Sequence, residues 1–272
     1  MSELIRHPTG MVGVILLTVI GFAVLFGTVL APYDPQAFHP TVRLNGPSAE
    51  HWLGTDQFGR DLLSRLLTGA RSTVLFGLGA TVLGVFAGSI IGVTAGVAGG
   101  WVDSVIMRTL DGLLAVPDLL FTLLIVTMLG GGTTEAMLAV AVAFTPGMAR
   151  IARSSVLSIR TREYVLAAVA RGESTAYIIW QEVIPNAIGP IIVEASIRVS
   201  FAIMIGATLG FLGLGAQPPS TEWGLMVAEA RTYMYRSPWV VAVPGIAIAV
   251  AALGFNLFGD ALRDAFDPRG RR

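Results

Sequence analysis

Glu194 and Arg198 are the two residues of this 272-residue chain whose types could do chemistry in an unusual place. They stand four apart, acid first, in an otherwise uncharged run from about Ile188 to Leu209. A charge at the centre of a bilayer costs about 2.5–3.5 kcal/mol on insertion scales, so such residues persist where they meet each other, a partner helix or water. Acid before base at this spacing is also the favourable pairing order on a helix. Two readings follow: a structural ion pair inside a bundle, or groups that line a pathway and meet the charged termini of a solute. Catalysis has little support. His7, His39 and His51 are scattered without metal-ligand spacing, and no nucleophile stands beside a base. There is no cysteine, and all 18 basic residues are arginine, which removes thiol chemistry, a Walker A lysine and a Schiff base. The chain is therefore expected not to be an enzyme and to hold no metal.

The elements that must position this pair are set by composition. Apolar residues make up 54% of the chain and charged ones 13%, against about 25% in a soluble domain, which makes this an integral membrane protein. The balanced net charge gives no footprint for nucleic acid. A spanning helix needs roughly 20 mostly apolar residues, and six runs qualify: Met11 to Ala31, Ser72 to Ala98, about Gly112 to Leu129, about Ala136 to Ser155, about Ile188 to Leu209, and Ser237 to Gly259. In the fourth, Arg150 and Arg153 can snorkel to a headgroup layer. The first run is too long for a cleaved signal segment and reads as an anchor.

Six spans put both termini on one side. With the N-terminus inside, eleven arginines are cytosolic (Arg6, Arg108, Arg150, Arg153, Arg160, Arg162, Arg171, Arg263, Arg269, Arg271 and Arg272). Six are external (Arg43, Arg60, Arg65, Arg71, Arg231 and Arg236). This bias favours cytoplasmic termini. The chain divides into an N-terminal anchor with an external segment, residues 1–71, and a five-helix core, residues 72–272, with a cytosolic loop at 158–186.

That loop contains EYVLAAVARGESTAYIIWQEVIPN, Glu163 to Asn186. It reads as two short helices. Glu163 suits the positive end of the first, Gly172 ends it, and Ser174 caps a second that presents Tyr177, Ile178 and Trp180. Pro185 stops the second and leads into the fifth span. By itself this describes either an amphipathic hairpin resting on membrane lipid or a docking element.

The pattern E-Y-V-x-A-A-x-A-x-G, with Pro-Asn thirteen residues beyond the glycine, resembles the EAA loop of ABC-importer permeases at Glu163, Ala167, Ala168, Gly172 and Pro185. LAPYDP at Leu30 to Pro35, HWLGTDQFGRDLLSRLLTGAR at His51 to Arg71, and FLGLGAQPPSTEWG at Phe211 to Gly224 resemble one branch, the C-type permease of dipeptide and oligopeptide importers. GGWVDSVIMR at Gly99 to Arg108 and the segment FNLFGDALRDAFDPR ending at Arg269 extend the likeness over nearly the whole chain. The resemblance implies an all-α, polytopic type I (MetI-like) permease in a bacterial inner membrane. It implies a homologous second permease, two cytosolic ATPases and an extracytoplasmic binding protein as partners. ATP and Mg are then used by those ATPases, with no cofactor on this chain. The second short helix becomes the coupling helix, with Ser174, Tyr177 and Ile178 on it. One departure stands out: Gly206 occupies a position where the family pattern often has glutamate. Short peptides fit the resemblance best as cargo, with nickel, glutathione and heme as alternatives. No histidine lies in a predicted span, which argues against a metal path.

Two features have alternative readings. Gly84, Gly88, Gly92, Gly96 and Gly100 recur every four residues and form a packing face, either within the chain or against the second permease. The external segment Pro32 to Arg71, with Asp61, Arg65 and Thr68 on an amphipathic stretch, is an interfacial helix leading into span two, or a surface that receives the binding protein or closes the outer gate; Trp223 is an aromatic-belt candidate. The rival from another class is a proton-coupled secondary transporter, which would show interrupted helices in two inverted halves. The halves of this sequence share neither the loop nor an acid–base pair.

Overall fold

The computed structural model describes residues 8–266, so Arg6, His7, Arg269, Arg271 and Arg272 lie outside the described residues. The described chain is helical, without a strand. Helix α1, Pro8–Leu30, is followed by an irregular segment, and α2 runs unbroken over Leu62–Ala98. The amphipathic stretch before residue 72 is thus the opening of span two and not a separate interfacial helix; the boundary expected at residues 71 and 72 falls inside α2. Helices α3, Gly100–Leu114, and α4, Asp118–Leu129, meet at a 90° bend. Then follow α5, Thr133–Arg160, and α6, Glu163–Ala170. Next come α7, Thr175–Tyr177, a π-helical segment Ile178–Val183, and α8, Ile184–Phe211. The short helix α9, Trp223–Ala230, precedes α10, Trp239–Phe266. Five helices are long and apolar enough to cross a membrane; a sixth crossing is obtained when the bent pair α3–α4 is taken as one. The expected third span is accordingly a broken one. Pro117 sits at the break, where it disfavours a helical residue before it and supplies no N–H.

Lipid tails are as apolar as leucine, so close packing rather than apolar burial holds such helices together. The most extensive contact joins α2 to α5, and the glycine stripe is its cause. A Cβ on Gly84 would lie 2.8 Å from the Ala141 carbonyl oxygen, and one on Gly88 would lie 2.6 Å from that of Thr145. Gly92 meets the Ala149 carbonyl, and Gly96 meets Val156. The stripe therefore packs within the chain. It ends before Gly100, whose surroundings are open. Helices α8 and α10 close the other side of α2, and α1 lies against α10 and α2.

Arg150 and Arg153 each meet an aspartate of α3. Arg153 grips Asp103 through both Nε and Nη2, and Arg150 Nη2 lies 2.5 Å from Asp111 Oδ1, which ties α3 to α5.

Candidate functional site

The loop after α5 is built as a rigid bracket. Helix α6 ends in a Schellman turn: Glu173 N–H donates to the Ala168 carbonyl and Gly172 N–H to that of Val169. Gly172 has φ +79°, a left-handed conformation open to glycine at little cost. The Ser174 hydroxyl oxygen then accepts from Tyr177 N–H at 3.2 Å and caps α7. Pro185 does not stop this helix. The π segment shifts the bonding register, with Ile184 N–H donating to Ile179 five residues back, so Pro185 enters the first turn of α8 and one helical rod runs from Thr175 to Phe211. The bracket is pinned from beneath by Val165 and Val183, which pack with Val156, Ile159 and Ala187. Ala168 is fully buried, and Ile178 turns inward onto this cluster instead of projecting outward. Glu163, Ala167, Gly172, Tyr177 and Trp180 remain exposed.

Behind the bracket a cavity of about 690 Å³ opens between α5, α8 and α10, bordered by Ser155, Ser158, Arg162, Asn186, Glu194 and Arg263. Glu194 thus borders an open space lined by both polar and apolar side chains. Arg198 Nε lies 3.2 Å from Glu194 Oε1, yet its N–H has no well-aligned acceptor, so the two attract by proximity more than by a directed bond. The Arg198 guanidinium stacks 5.0 Å from the Phe144 ring and fills the space a side chain on Gly147 would need. The expected pair forms, and of its members Glu194 alone borders the cavity. Gly206 does not line it. The Phe76 ring occupies the place a side chain there would take, beside a void of about 10 Å³ shared with Thr73 and Glu222.

The opposite end of the bundle holds a second charged constellation, of which only Arg65 is expected from sequence, on the polar edge of a helix. Arg65 is 1% exposed. Its Nη1 lies 2.8 Å from Asp56 and its Nη2 3.1 Å from Glu229, while Arg60 reaches the same two carboxylates at 2.6 and 2.7 Å. Asp61 caps α2 by accepting from Ser64 N–H at 2.8 Å and meets His51 Nδ1 at 2.9 Å. Burial pushes the Glu229 carboxyl above its usual range, against the pull of Arg60. Burial raises the Glu222 carboxyl as well, against two backbone N–H groups at the start of α9. Trp223 is a core residue, 4% exposed, with its indole N–H donating to Leu66, and not a member of an aromatic belt. Asp56, Arg60 and Arg65 lie close together in the sequence, but Glu229 lies more than 160 residues away. Above it, Phe38, Trp52 and Phe58 are exposed, with the Arg60 guanidinium 4.6 Å from the Phe58 ring.

Comparison with known proteins places this geometry. Residues 84–272 match the family described as binding-protein-dependent transport system inner membrane component, and residues 1–47 match the N-terminal TM domain of oligopeptide transport permease C. A dipeptide transport system permease protein of Alkalihalophilus pseudofirmus is 40% identical over 98% of this chain and 88% of its own length. A probable D,D-dipeptide transport system permease of Escherichia coli is 42% identical over 96% and 88%, and a glutathione transport system permease of Pectobacterium atrosepticum 39% over 97% and 88%. Among solved structures, a chain of the inward-facing MetNI methionine ABC transporter superposes with a TM-score of 0.62 at 16% identity, covering 75% of this chain and 97% of that one, a likeness of fold. The chain belongs to the binding-protein-dependent transport family of inner-membrane ABC-importer permeases.

Proposed function

We propose that this chain forms half of the pathway of an ATP-driven importer of short peptides, with a homologous second permease forming the other half. ATP and Mg are used by two separate cytosolic ATPases, and this chain binds no cofactor. Both termini are cytoplasmic, and the exposed outer aromatics receive an extracytoplasmic binding protein. The observation that carries the reading is the unbroken rod from Thr175 to Phe211. Its cytosolic end bears the exposed Tyr177 and Trp180, and its middle bears Glu194 on the cavity wall. Force applied by an ATPase at the bracket of Glu163, Ala167, Ala168, Gly172, Ser174 and Pro185 therefore moves the wall of the cavity directly. Nucleotide binding can shift the access equilibrium through such a differential contact. Relatives named for dipeptide and glutathione transport support a short-peptide cargo.

Gentle extraction of the C-terminally tagged chain, with mass spectrometry of what accompanies it, tests the assembly. A second permease, Walker-containing ATPases and a binding protein are expected. Recovery of the chain alone or as a homodimer would move the reading to a secondary transporter. Within the pathway, exchanging the charges in a Glu194→Arg, Arg198→Glu double variant is expected to leave assembly intact and to lower peptide uptake about tenfold, the scale of one charged contact. Uptake restored to the wild-type rate would make the pair purely structural.

A further inference from the structure

Three charged residues from different elements border the cavity behind the bracket: Glu194 of α8, Arg263 of α10, and Arg162 at the junction of α5 and α6. Their relative heights follow from close contacts between α8 and α10. A Cβ on Gly259 would lie 2.8 Å from Ile197, and one on Gly189 would lie 3.5 Å from the Phe266 ring, so the two helices run antiparallel along this wall. Arg263, four residues on from Gly259, therefore comes level with Val193 and Glu194, which border the same space. Acid and base stand on separate walls without touching. No ion pair joins Arg263 to Glu194, whose side chain is 30% exposed and whose ion-pair partner among the described residues is Arg198.

Charge and room both point to a guest. Two arginines and one carboxylate border the cavity, and Arg198 already stands beside that carboxylate, so the space carries an excess of positive charge and favours a guest that brings an anion. Glu194 keeps a place for a cation on the opposite side of the same guest. Asn186, at the end of the cavity bordered by Arg162, is eight residues from Glu194 along α8, about 12 Å at 1.5 Å per residue. An extended peptide spans about 3.3–3.6 Å per residue, so a dipeptide or tripeptide fits this length, and Ile159, Val193 and Ile197 give its side chains an apolar surface.

We infer that this cavity seats a zwitterionic peptide with its two ends told apart: Glu194 receives the α-ammonium group, and Arg263 is a specificity-determining residue that receives the terminal carboxylate. The inference rests on the peptide-importer reading. Arg263 takes the part that Arg198 cannot, because the Arg198 guanidinium is held over the Phe144 ring. A guanidinium fork matches a carboxylate with two parallel hydrogen bonds, which gives the contact direction as well as attraction.

The absence of cysteine from the chain makes the test direct. In the complete transporter, without binding protein or nucleotide, Ser158→Cys on the cavity border is expected to react faster with an anionic thiol reagent than with a cationic one, and dialanine is expected to slow the reaction. Dialanine amide and N-acetyl-dialanine are each expected to protect about tenfold less well, the scale of one charged contact. Adding Arg263→Gln should bring dialanine down to the level of its amide while keeping its preference over the N-acetyl form; adding Glu194→Gln should do the reverse. An unreactive Ser158→Cys in an assembled complex, or labelling that none of the peptides slows, would overturn the site. Equal protection by all three peptides, or loss of both preferences in either variant, would overturn the assignment of ends. Uptake of dialanine by the wild-type complex with its binding protein is measured in parallel: without it the peptide reading fails, and the protection assay still decides whether the cavity seats a zwitterion.

Discussion

Gly88→Leu is expected to abolish the folded transporter. A Cβ at this position would lie 2.6 Å from both Met148 Cβ and the Thr145 carbonyl oxygen and 2.9 Å from the Ala149 backbone nitrogen, and two of these three obstacles are backbone that no rotamer change can move. The leucine would therefore pry α2 from α5 across the largest helix contact of the chain. Overpacking a tight core usually costs about 1–3 kcal/mol; here the next glycine up and the next one down make equally close approaches, so local relaxation is blocked in both directions. The readout is the yield of monodisperse complex after mild detergent extraction. Gly100→Leu, in open surroundings just beyond the stripe, serves as the control, although its φ of +54° adds local strain. Wild-type yield of Gly88→Leu would sink the packing account.

The same stripe shows what the amino-acid sequence makes legible. A period of four glycines announces close approach but carries no address, and the partner became clear only when the Ala141, Thr145 and Ala149 carbonyls were found facing it. All six spans were readable as apolar runs. That the third is a bent pair was not, because a count of apolar residues registers neither the break at Pro117 nor a 12-residue helix too short to cross alone. Pro185 misled for a related reason: proline predicts a helix end from the geometry of an α-turn, and a π segment removes that conflict. The pairing of Glu194 with Arg198 follows from local spacing and was legible. That Arg198 would turn onto Phe144, leaving Glu194 alone on the cavity, depends on a glycine of another helix, Gly147. The Asp56, Arg60, Arg65 and Glu229 network joins segments far apart in the chain, and one sequence gives no register between them.

Gly172→Asp is expected to cut peptide uptake by tenfold or more while leaving assembly and membrane insertion close to normal. The side chain itself meets no obstacle, since nothing lies within 4 Å of where its Cβ would be. The cost is conformational: φ at +79° is disfavoured for any residue with a Cβ, by about 1–2 kcal/mol. Relief of that strain means undoing the Schellman turn, which would release the bonds from Gly172 to Val169 and from Glu173 to Ala168 and let α6 swing relative to α7. The bracket would then flex under load instead of passing it to the rod that starts at Thr175. Because Val165 and Val183 still hold the loop's underside to α5 and α8, the fold of the spans is not at risk, which separates this variant from Gly88→Leu. Gly172→Ala, which lacks the local hydrogen bonding that helps Asp tolerate a left-handed conformation, should produce a loss at least as large. ATP hydrolysis and uptake measured together in proteoliposomes give the ratio that matters, with the expected result a fall in peptide carried per ATP. An unchanged ratio in both variants would mean that the turn at Gly172 does not transmit force.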